Sequence, residues 1–213
     1  MQKLNWLFTS GVVGGSTVWM THFIAMLSFN PPLPHAYEPT LTMASLAVAI
    51  GVTILGFLVT ATGKPGFLIE LGGGIVGAGI AIMHYTGMAG YQIAGRLEWD
   101  SGYYAASVFL GIGFGGLATS RIARPVTRFC QYGGILALVL AITTMHFTGM
   151  SAITIVPDPL IVTSADVIPD GLLTVMVAII GVMLALGAST YAIDLHSTRG
   201  RRNGSAICRC TIR

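Results

Sequence analysis

Three short segments of this 213-residue chain carry histidine and methionine in the same arrangement. They read WMTHFIAM, AIMHYTGM and TTMHFTGM, and their histidines are His22, His84 and His146. Each histidine is followed by an aromatic residue, then two positions later by a small residue, and then by methionine. Residues four apart share one face of an α-helix. Each segment therefore presents an imidazole and a thioether in the same direction.

Imidazole and thioether groups form a soft-to-borderline ligand set, and soft ligands select copper, above all Cu(I). Zinc sites and iron-carboxylate sites use Asp, Glu or Cys. None of these lies at the depth of the motifs, because Glu70 falls at the opposite end of its helix. A single buried histidine is usually a packing residue, but three identical pairs at one period predict a shared site. Copper is the ion that such a site favours.

The composition indicates which elements position these motifs. Hydrophobic residues make up 54% of the chain and charged residues only 9%, whereas a soluble domain has roughly 25% charged residues. Mean hydropathy is +0.77. A membrane span needs about 20 mostly apolar residues, and six stretches satisfy that requirement. The sequence predicts an all-α membrane protein with spans at Leu4–Phe29, Thr40–Thr62, Phe67–Ile93, Tyr103–Ile122, Tyr132–Val156 and Leu172–Ile193.

The motifs recur at a constant interval of 62 residues. This interval holds two helices, so each copy returns its motif to the same side of the bilayer. The six helices are therefore predicted to form three repeated two-helix units. Glycines precede the motifs, and the pairs Gly11/Gly15 and Gly73/Gly77 have the spacing that lets membrane helices approach closely. We expect these glycines to bring the motif helices together, so that the three histidines meet.

Charge placement predicts the orientation. Ten of the eleven Lys and Arg residues lie at the N-terminus, in the second and fourth loops and in the tail, while acidic residues fill the other three loops. Basic residues favour the cytoplasmic side, so both termini are predicted to be cytoplasmic, with the motifs in the outward half of the membrane. The net charge of +3 then reflects this basic inner rim and predicts no nucleic-acid partner. The three cysteines fall on the reducing side and predict no disulfide.

The segments MHYT and MHFT, each followed by Gly-Met, together with THFIAM, resemble the bacterial MHYT membrane sensor domain. The resemblance covers the chain to about Asp194. It implies a multi-pass protein of the bacterial inner membrane that binds copper and senses a diatomic gas (O2, CO or NO) or the redox state. The implied ligand positions are His22, Met26, Met83, His84, Met88, Met145, His146 and Met150.

The same resemblance predicts the domain organisation. Residues 1–193 correspond to the transmembrane sensor domain, without the additional helix that usually precedes the first motif helix, and residues 194–213 are predicted to be a short, disordered cytoplasmic tail. Members of the family are commonly fused to GGDEF and EAL domains, which make and break cyclic di-GMP. No catalytic domain is recognisable here, so we expect no enzyme activity. Partners would be the lipid bilayer, a cytoplasmic GGDEF/EAL-type signalling protein, or a second copy of the chain.

Two other functions are compatible with the motifs. A transporter or channel for copper or protons could use the His-Met cluster as its path, although all three motifs lie at one depth and no acidic relay continues the route. A redox protein could hold haem between histidines of facing helices, although each motif helix offers only one histidine.

Overall fold

The computed structural model describes the backbone of residues 2–62, 66–124, 128–158, 160 and 167–210, and their side chains except at 2, 3, 128 and 192–210. These residues form six helices and four short strands. In chain order they are α1 (Gln2–Ser28), β1 (His35–Tyr37), α2 (Pro39–Thr60), α3 (Phe67–Ala89), β2 (Tyr91–Ile93), β3 (Gly95–Trp99), α4 (Ser101–Ala123), α5 (Arg128–Ser151), β4 (Ile153–Pro157) and α6 (Asp170–Cys210).

Five of these helices, α2 to α6, are long and apolar enough to cross a membrane. The chain is therefore a multi-pass membrane protein, as its composition predicts. Helix α1 has 27 residues, which at 1.5 Å per residue gives about 40 Å, also long enough to span. Because α1 is less apolar than the other five, it falls outside that set, and a sixth span stays a prediction.

The motif helices α1, α3 and α5 meet one another, and each of the first two also packs against the helix that follows it. Further contacts join α2 to α3, α4 to α5, and α6 to α1. Trp19 is fully buried at the α1–α2 contact and donates its indole N–H to the hydroxyl of Ser45 at 3.0 Å. This packing places α3 at the centre, in contact with α1, α2, α4 and α5.

The glycines that precede the motifs do bring helices close together, but the partner helices differ from our prediction. A Cβ atom added at Gly15 would lie 2.6 Å from the Cα atom of Ile50 in α2, and the backbone of Gly77 contacts that of Gly111 in α4. Gly73 and Gly115 face each other in the same interface. Gly15 therefore joins α1 to α2, and Gly73 and Gly77 join α3 to α4, so these glycines do not join the motif helices to one another.

The four short strands form two sheets in the loops that follow the motifs. Strand β1 pairs with β2 and β3 with β4, both antiparallel, and Tyr37 forms a bridge with Ile168. We call this layer of loops and strands the cap. The predicted third and fifth spans end too late, because α3 stops at Ala89 and α5 at Ser151. The β-branched and aromatic residues beyond those points leave the helix and pair between loops.

Two acidic side chains fix the starts of helices that leave the cap. Glu38 accepts hydrogen bonds from the backbone N–H groups of Thr40 and Leu41, at 2.9 and 2.6 Å, and so caps α2. Asp100 caps α4 in the same way, through Gly102 and Tyr103. Side chains that satisfy the unpaired N–H groups of a first turn define where a helix begins.

Helix α6 continues past Ile193, where the last span was predicted to end, as far as Cys210. The backbone of the segment predicted to be a disordered tail is therefore helical over 194–210. Extending an existing helix avoids the cost of nucleating a new one. The prediction considered the tail sequence by itself and therefore did not include this advantage. Residues 211–213 lie outside the described residues.

Candidate metal centre

The three motif histidines meet in the interior. The Nδ1 atom of His22 lies 3.2 Å from that of His146 and 3.2 Å from that of His84, and the last two atoms are 3.3 Å apart. All three side chains are buried. The rings are close to perpendicular to one another, with centroids 4.9 to 5.2 Å apart. The prediction that the histidines converge is confirmed, although they lie 62 and 124 residues apart in the sequence.

Three Nδ1 atoms in a triangle cannot all be satisfied by hydrogen bonds to each other. Each Nδ1 atom offers either one N–H or one lone pair in the ring plane, so at least one of the three pairs must juxtapose two donors or two acceptors. A cation at the centre would satisfy three lone pairs at once. The centre of this triangle lies about 1.9 Å from each nitrogen, close to the ~2.0 Å typical of metal–imidazole bonds.

The small residue of the motif has a role in this convergence that sequence reasoning did not assign. A Cβ atom added at Gly87 would lie 2.9 Å from the Nε2 atom of His22, and one added at Gly149 would lie 2.8 Å from that of His84. Each glycine thus leaves room for the imidazole of the preceding repeat. The corresponding residue of the first motif is Ala25, which lines the same site. The motif glycines bring the motif helices together at the histidines.

The predicted methionine positions divide into two groups. Met83 and Met145, which directly precede their histidines, are buried and line the same cavity as the triad. Met26 and Met88 are fully buried in the hydrophobic core, Met150 is half-buried against it, and none of the three lines that cavity. Among the predicted methionines, those that line the cavity beside the triad therefore occupy the position directly before a histidine.

A cavity of about 230 Å³ adjoins the histidines and is lined only by residues of α1, α3 and α5. Its wall is apolar except for the imidazoles and two threonines, Thr21 and Thr143. A water molecule occupies about 30 Å³ in the liquid, so a diatomic molecule fits easily. Because the wall offers few hydrogen bonds, the cavity favours a small apolar ligand over ordered water.

The cap contains a second group of titratable side chains that the sequence did not single out. Tyr37 and Tyr91 are buried, with rings 5.4 Å apart, and the ring of His35 lies 5.6 Å from that of Tyr91. Burial raises the pKa of both tyrosines, and the negative charge of Asp170 raises the pKa of each further. The sequence signal for this group was the alternation of His35 and Tyr37 within β1. The pairing of Tyr37 with Tyr91 of β2 is visible only in the structure.

Three other polar residues lie away from the triad. The side chain of His35 is only 9% exposed, and its Nε2 atom lies 3.3 Å from Asp170. Glu70 contacts Ser120 and Arg124 of α4. His196 belongs to the part of α6 whose side chains are not described.

The sequence was compared with known protein families. The profile of the family described as bacterial signalling protein N-terminal repeat, MHYT, matches residues 15–73, 77–133 and 140–205. Each of these matches contains one of the three histidines and so coincides with one repeat. No solved structure matches the chain.

Several curated relatives are signalling proteins. An uncharacterised signalling protein of Caulobacter vibrioides is 39% identical over 200 residues, which are 92% of this chain and 24% of the relative. The cyclic di-GMP phosphodiesterase NbdA of Pseudomonas aeruginosa is 35% identical over 155 residues, 70% of this chain and 20% of that protein. The bifunctional diguanylate cyclase/cyclic di-GMP phosphodiesterase MucR of the same organism is 32% identical over 157 residues, which are 71% of this chain and 23% of that protein. The chain thus spans no more than a quarter of the length of these relatives.

Proposed function

Because the chain belongs to the bacterial signalling family defined by the MHYT N-terminal repeat, we propose that it is a copper-binding sensory module of the inner membrane. The observation that carries this proposal is the triangle of Nδ1 atoms from His22, His84 and His146, with sides of 3.2 to 3.3 Å. Such a triangle suits a three-coordinate ion and leaves positions above and below its plane for another ligand.

The ligand set that the geometry favours has the three histidines as its nitrogen donors. Met83 and Met145 are the thioethers on the wall of the adjoining cavity, and thioethers select Cu(I) among the common ions. Met26, Met88 and Met150 belong to the core around the site, where their thioethers fill space and exclude water. In this proposal they support the site and do not complete the coordination sphere.

The input that we propose is a diatomic gas, or the redox state of the metal. When bound, copper supplies reversible one-electron chemistry and an open position for a ligand such as O2, CO or NO. The residues of the protein hold the ion at the wall of an apolar cavity of about 230 Å³. Nonpolar gases concentrate in apolar surroundings, whereas water does not. The triad therefore sits where a dissolved gas is enriched and a polar competitor is disfavoured.

The proposed topology has six spans in the inner membrane, with both termini in the cytoplasm. The cap then faces outward, and the basic side chains beside Glu70, such as Arg124, face inward as the positive-inside rule requires. Helix α6 packs against α1, which carries His22, and continues to Cys210. A change in packing around the triad could therefore be transmitted along α6 to the cytoplasmic side.

The output that we propose is control of cyclic di-GMP turnover. NbdA and MucR, by their names, make or degrade cyclic di-GMP, and only a quarter or less of each corresponds to this chain. The enzyme that we propose as the target is of the GGDEF/EAL type, reached directly or through an assembly of several copies.

Transport of copper or protons is the alternative that the arrangement favours less. A second cavity, of about 270 Å³, lies in the inward half of the bundle. Its wall combines apolar residues with Thr53, Thr60 and Thr119, and among the described residues it includes no histidine, methionine or carboxylate. A transported ion leaving the triad would find no ligand there. Haem is also disfavoured, because Nδ1 atoms 3.2 Å apart leave no room for a macrocycle between the histidines.

The metal content of the purified protein tests the proposal. The chain would be expressed with copper supplied, purified in detergent, and compared with the variant His22→Ala/His84→Ala/His146→Ala. We expect about one copper per chain in the wild-type protein and none in the triple variant. A matched control is His196→Ala, which removes a histidine outside the triad and should leave the copper content unchanged.

Two results would contradict the proposal. Absence of copper from the correctly folded wild-type protein would leave the histidines as a packing or proton-handling cluster. Copper retained by the triple variant at wild-type stoichiometry would place the ion elsewhere. Copper flux into proteoliposomes, if it required the triad, would favour transport over sensing.

A further inference from the structure

Four side chains from three separate segments meet in the cap. His35 and Tyr37 lie on β1, Tyr91 lies opposite Tyr37 on β2, and Asp170 is the first residue of α6. Tyr37 is 1% exposed and Tyr91 is 4% exposed, whereas the Asp170 side chain is 50% exposed. We call these four residues the cap cluster. Its two phenol rings are buried, and its carboxylate is exposed to solvent.

A hydrogen bond determines the tautomer of His35, and so which ring nitrogen presents a lone pair to Asp170. The Nδ1 atom of His35 lies 3.0 Å from the carbonyl oxygen of Leu33. A carbonyl oxygen can only accept, so Nδ1 carries the proton and donates it. In a neutral imidazole the Nε2 atom then bears a lone pair, and it lies 3.3 Å from the Oδ2 atom of Asp170. Two acceptors at that distance need a cation between them, either a proton or a metal ion.

The phenol groups add a second and independent observation. The hydroxyl oxygens of Tyr37 and Tyr91 are buried, and neither has a hydrogen-bond partner among the described residues. A buried polar group without a partner destabilises the folded state, so two of them on residues paired across β1 and β2 indicate a ligand. The ring of Tyr91 contacts those of Tyr37 and His35, with centroids 5.4 and 5.6 Å apart, and the charge of Asp170 raises the pKa of both phenol groups. The two tyrosines therefore lie in the same part of the cap as the imidazole and the carboxylate.

We propose that the cap cluster is a second metal site, which binds a divalent ion of the Zn2+ or Cu2+ class from outside the membrane. His35 Nε2 and the Asp170 carboxylate are the protein ligands, and the hydroxyls of Tyr37 and Tyr91 donate to coordinated water or to the carboxylate. Imidazole with carboxylate oxygen is a donor set that suits these ions. Donation from the other ring nitrogen to a backbone carbonyl is the usual way in which proteins orient a histidine ligand.

The cap cluster is separate from the histidine triad. Phe23 lies between them, with its ring 5.8 Å from that of Tyr37 and 4.8 Å from that of His22. The cluster contains no methionine and is open to the outside through Asp170. A bound ion would join β1 to the start of α6 and so hold the outer end of that helix against the cap. The proposal does not depend on copper binding at the triad.

Zinc titration of the full-length protein in detergent tests the cap site. The variants are Asp170→Asn and His35→Gln, each of which removes one ligand and keeps the shape, and Glu98→Gln is the control for an exposed carboxylate of the cap. We expect Zn2+ affinity at one site to fall at least tenfold in Asp170→Asn and in His35→Gln, with no change in Glu98→Gln. A His84→Gln variant, altered in the triad, should keep that site.

The tyrosine variants separate binding from folding. The hydroxyls removed in Tyr37→Phe and Tyr91→Phe have no partner among the described residues, so their proposed acceptor is water on the bound ion. Both variants should therefore fold with unchanged or higher thermal stability and bind Zn2+ less tightly. Equal Zn2+ affinity in the wild-type protein, Asp170→Asn and His35→Gln would overturn the cap site, as would loss of all zinc in His84→Gln. A chain with Zn2+ at the cap but no copper at the triad would overturn the proposed sensor site and leave this one standing.

Discussion

Two of the three imidazoles of the triad depend on a residue that has no side chain. Gly87 lies against His22, and Gly149 lies against His84, so the motif of one repeat makes room for the histidine of the repeat before it. The glycine of the motif is therefore part of the site, even though it offers no ligand atom. This contact also explains why two backbones can approach closely enough for Nδ1 atoms to lie 3.2 Å apart.

Replacing a motif glycine should weaken metal binding without weakening the helix. In Gly149→Ala the added methyl group would lie 2.8 Å from the Nε2 atom of His84, so the imidazole must move. Because residues that orient a ligand typically contribute about 10- to 100-fold in metal affinity, we expect a loss of that size in copper titrations. Gly51→Ala is the control, since an added Cβ atom there meets nothing within 4 Å. Equal affinity in the two variants would contradict this role.

Glu38 should give α2 a pH-dependent stability. The backbone N–H groups of Leu41 and Thr40 hold the pKa of its carboxyl group below the ordinary value of 4.5. At pH values well above 4.5 the carboxylate is ionised in the folded and unfolded states, and its stabilising contribution is complete. As the pH falls from there through the depressed pKa, the unfolded state takes up the proton first and the contribution is lost.

The measurement for Glu38 is the thermal unfolding midpoint in detergent between pH 7 and pH 3. The wild-type protein should lose stability over the acid part of this range more steeply than Glu38→Gln, which has no carboxylate to protonate. Glu98→Gln, on β3, should follow the wild-type curve. If the curves of the wild-type protein and Glu38→Gln run parallel, the charge of the Glu38 side chain does not stabilise the folded protein.

Among the helices, α3 and α4 are joined by a close backbone contact between glycines. Gly73 and Gly77 of α3 face Gly115 and Gly111 of α4, with backbone atoms in direct contact. No hydrophobic effect drives helices together within lipid, so small residues that permit such contacts supply much of the packing energy. The contact fixes the axial position of α3 and, with it, the height of His84 in the membrane.

A large side chain in this interface should separate the two helices. In Gly115→Leu the Cβ atom would lie 2.5 Å from the backbone oxygen of Gly73, which cannot move as a side chain can. Overpacking of this kind costs about 1–3 kcal/mol, so we expect a lower thermal unfolding midpoint and weaker copper binding. Gly113→Leu, on the open face of α4, should behave like the wild-type protein. Equal midpoints for the two leucine variants would exclude a structural role for this contact.

At the scale of the whole molecule, the repeats place chemically different features at the two ends of the bundle. The cap strands follow the motif helices at one end, and the ion pair between Glu70 and Arg124 lies near the other. The order of elements thus puts both the triad and the cap cluster toward one membrane face. In the proposed orientation, ligands would reach the triad from outside or from the bilayer, and the response would occur at the opposite face.

Cysteine labelling tests the proposed orientation. In a background with Cys130, Cys208 and Cys210 replaced by serine, single cysteines would be introduced as Glu98→Cys in the cap and Thr62→Cys after α2. A membrane-impermeant maleimide added to intact spheroplasts should label the first variant at once and the second only after permeabilisation. The opposite result would invert the topology and place the triad in the inward half of the membrane.

The sequence by itself determined the membrane character, the repeated two-helix plan and the convergence of the histidines. These properties follow from local composition and from a fixed period. Apolar stretches of about 20 residues must lie in the bilayer, and two helices per repeat return each motif to the same face. His22, His84 and His146 could therefore be selected without knowledge of any contact between them.

The tertiary structure decided which atoms meet. It brought Nδ1 atoms together, placed Met83 and Met145 at the cavity in preference to Met26, Met88 and Met150, and directed the earlier glycines to the neighbouring helices. It also built the cap cluster from loops that have no common motif. Helical spacing specifies a face within one helix, whereas the rotation of each helix and the pairing between loops depend on packing among segments distant in sequence. Those contacts cannot be derived from a local pattern.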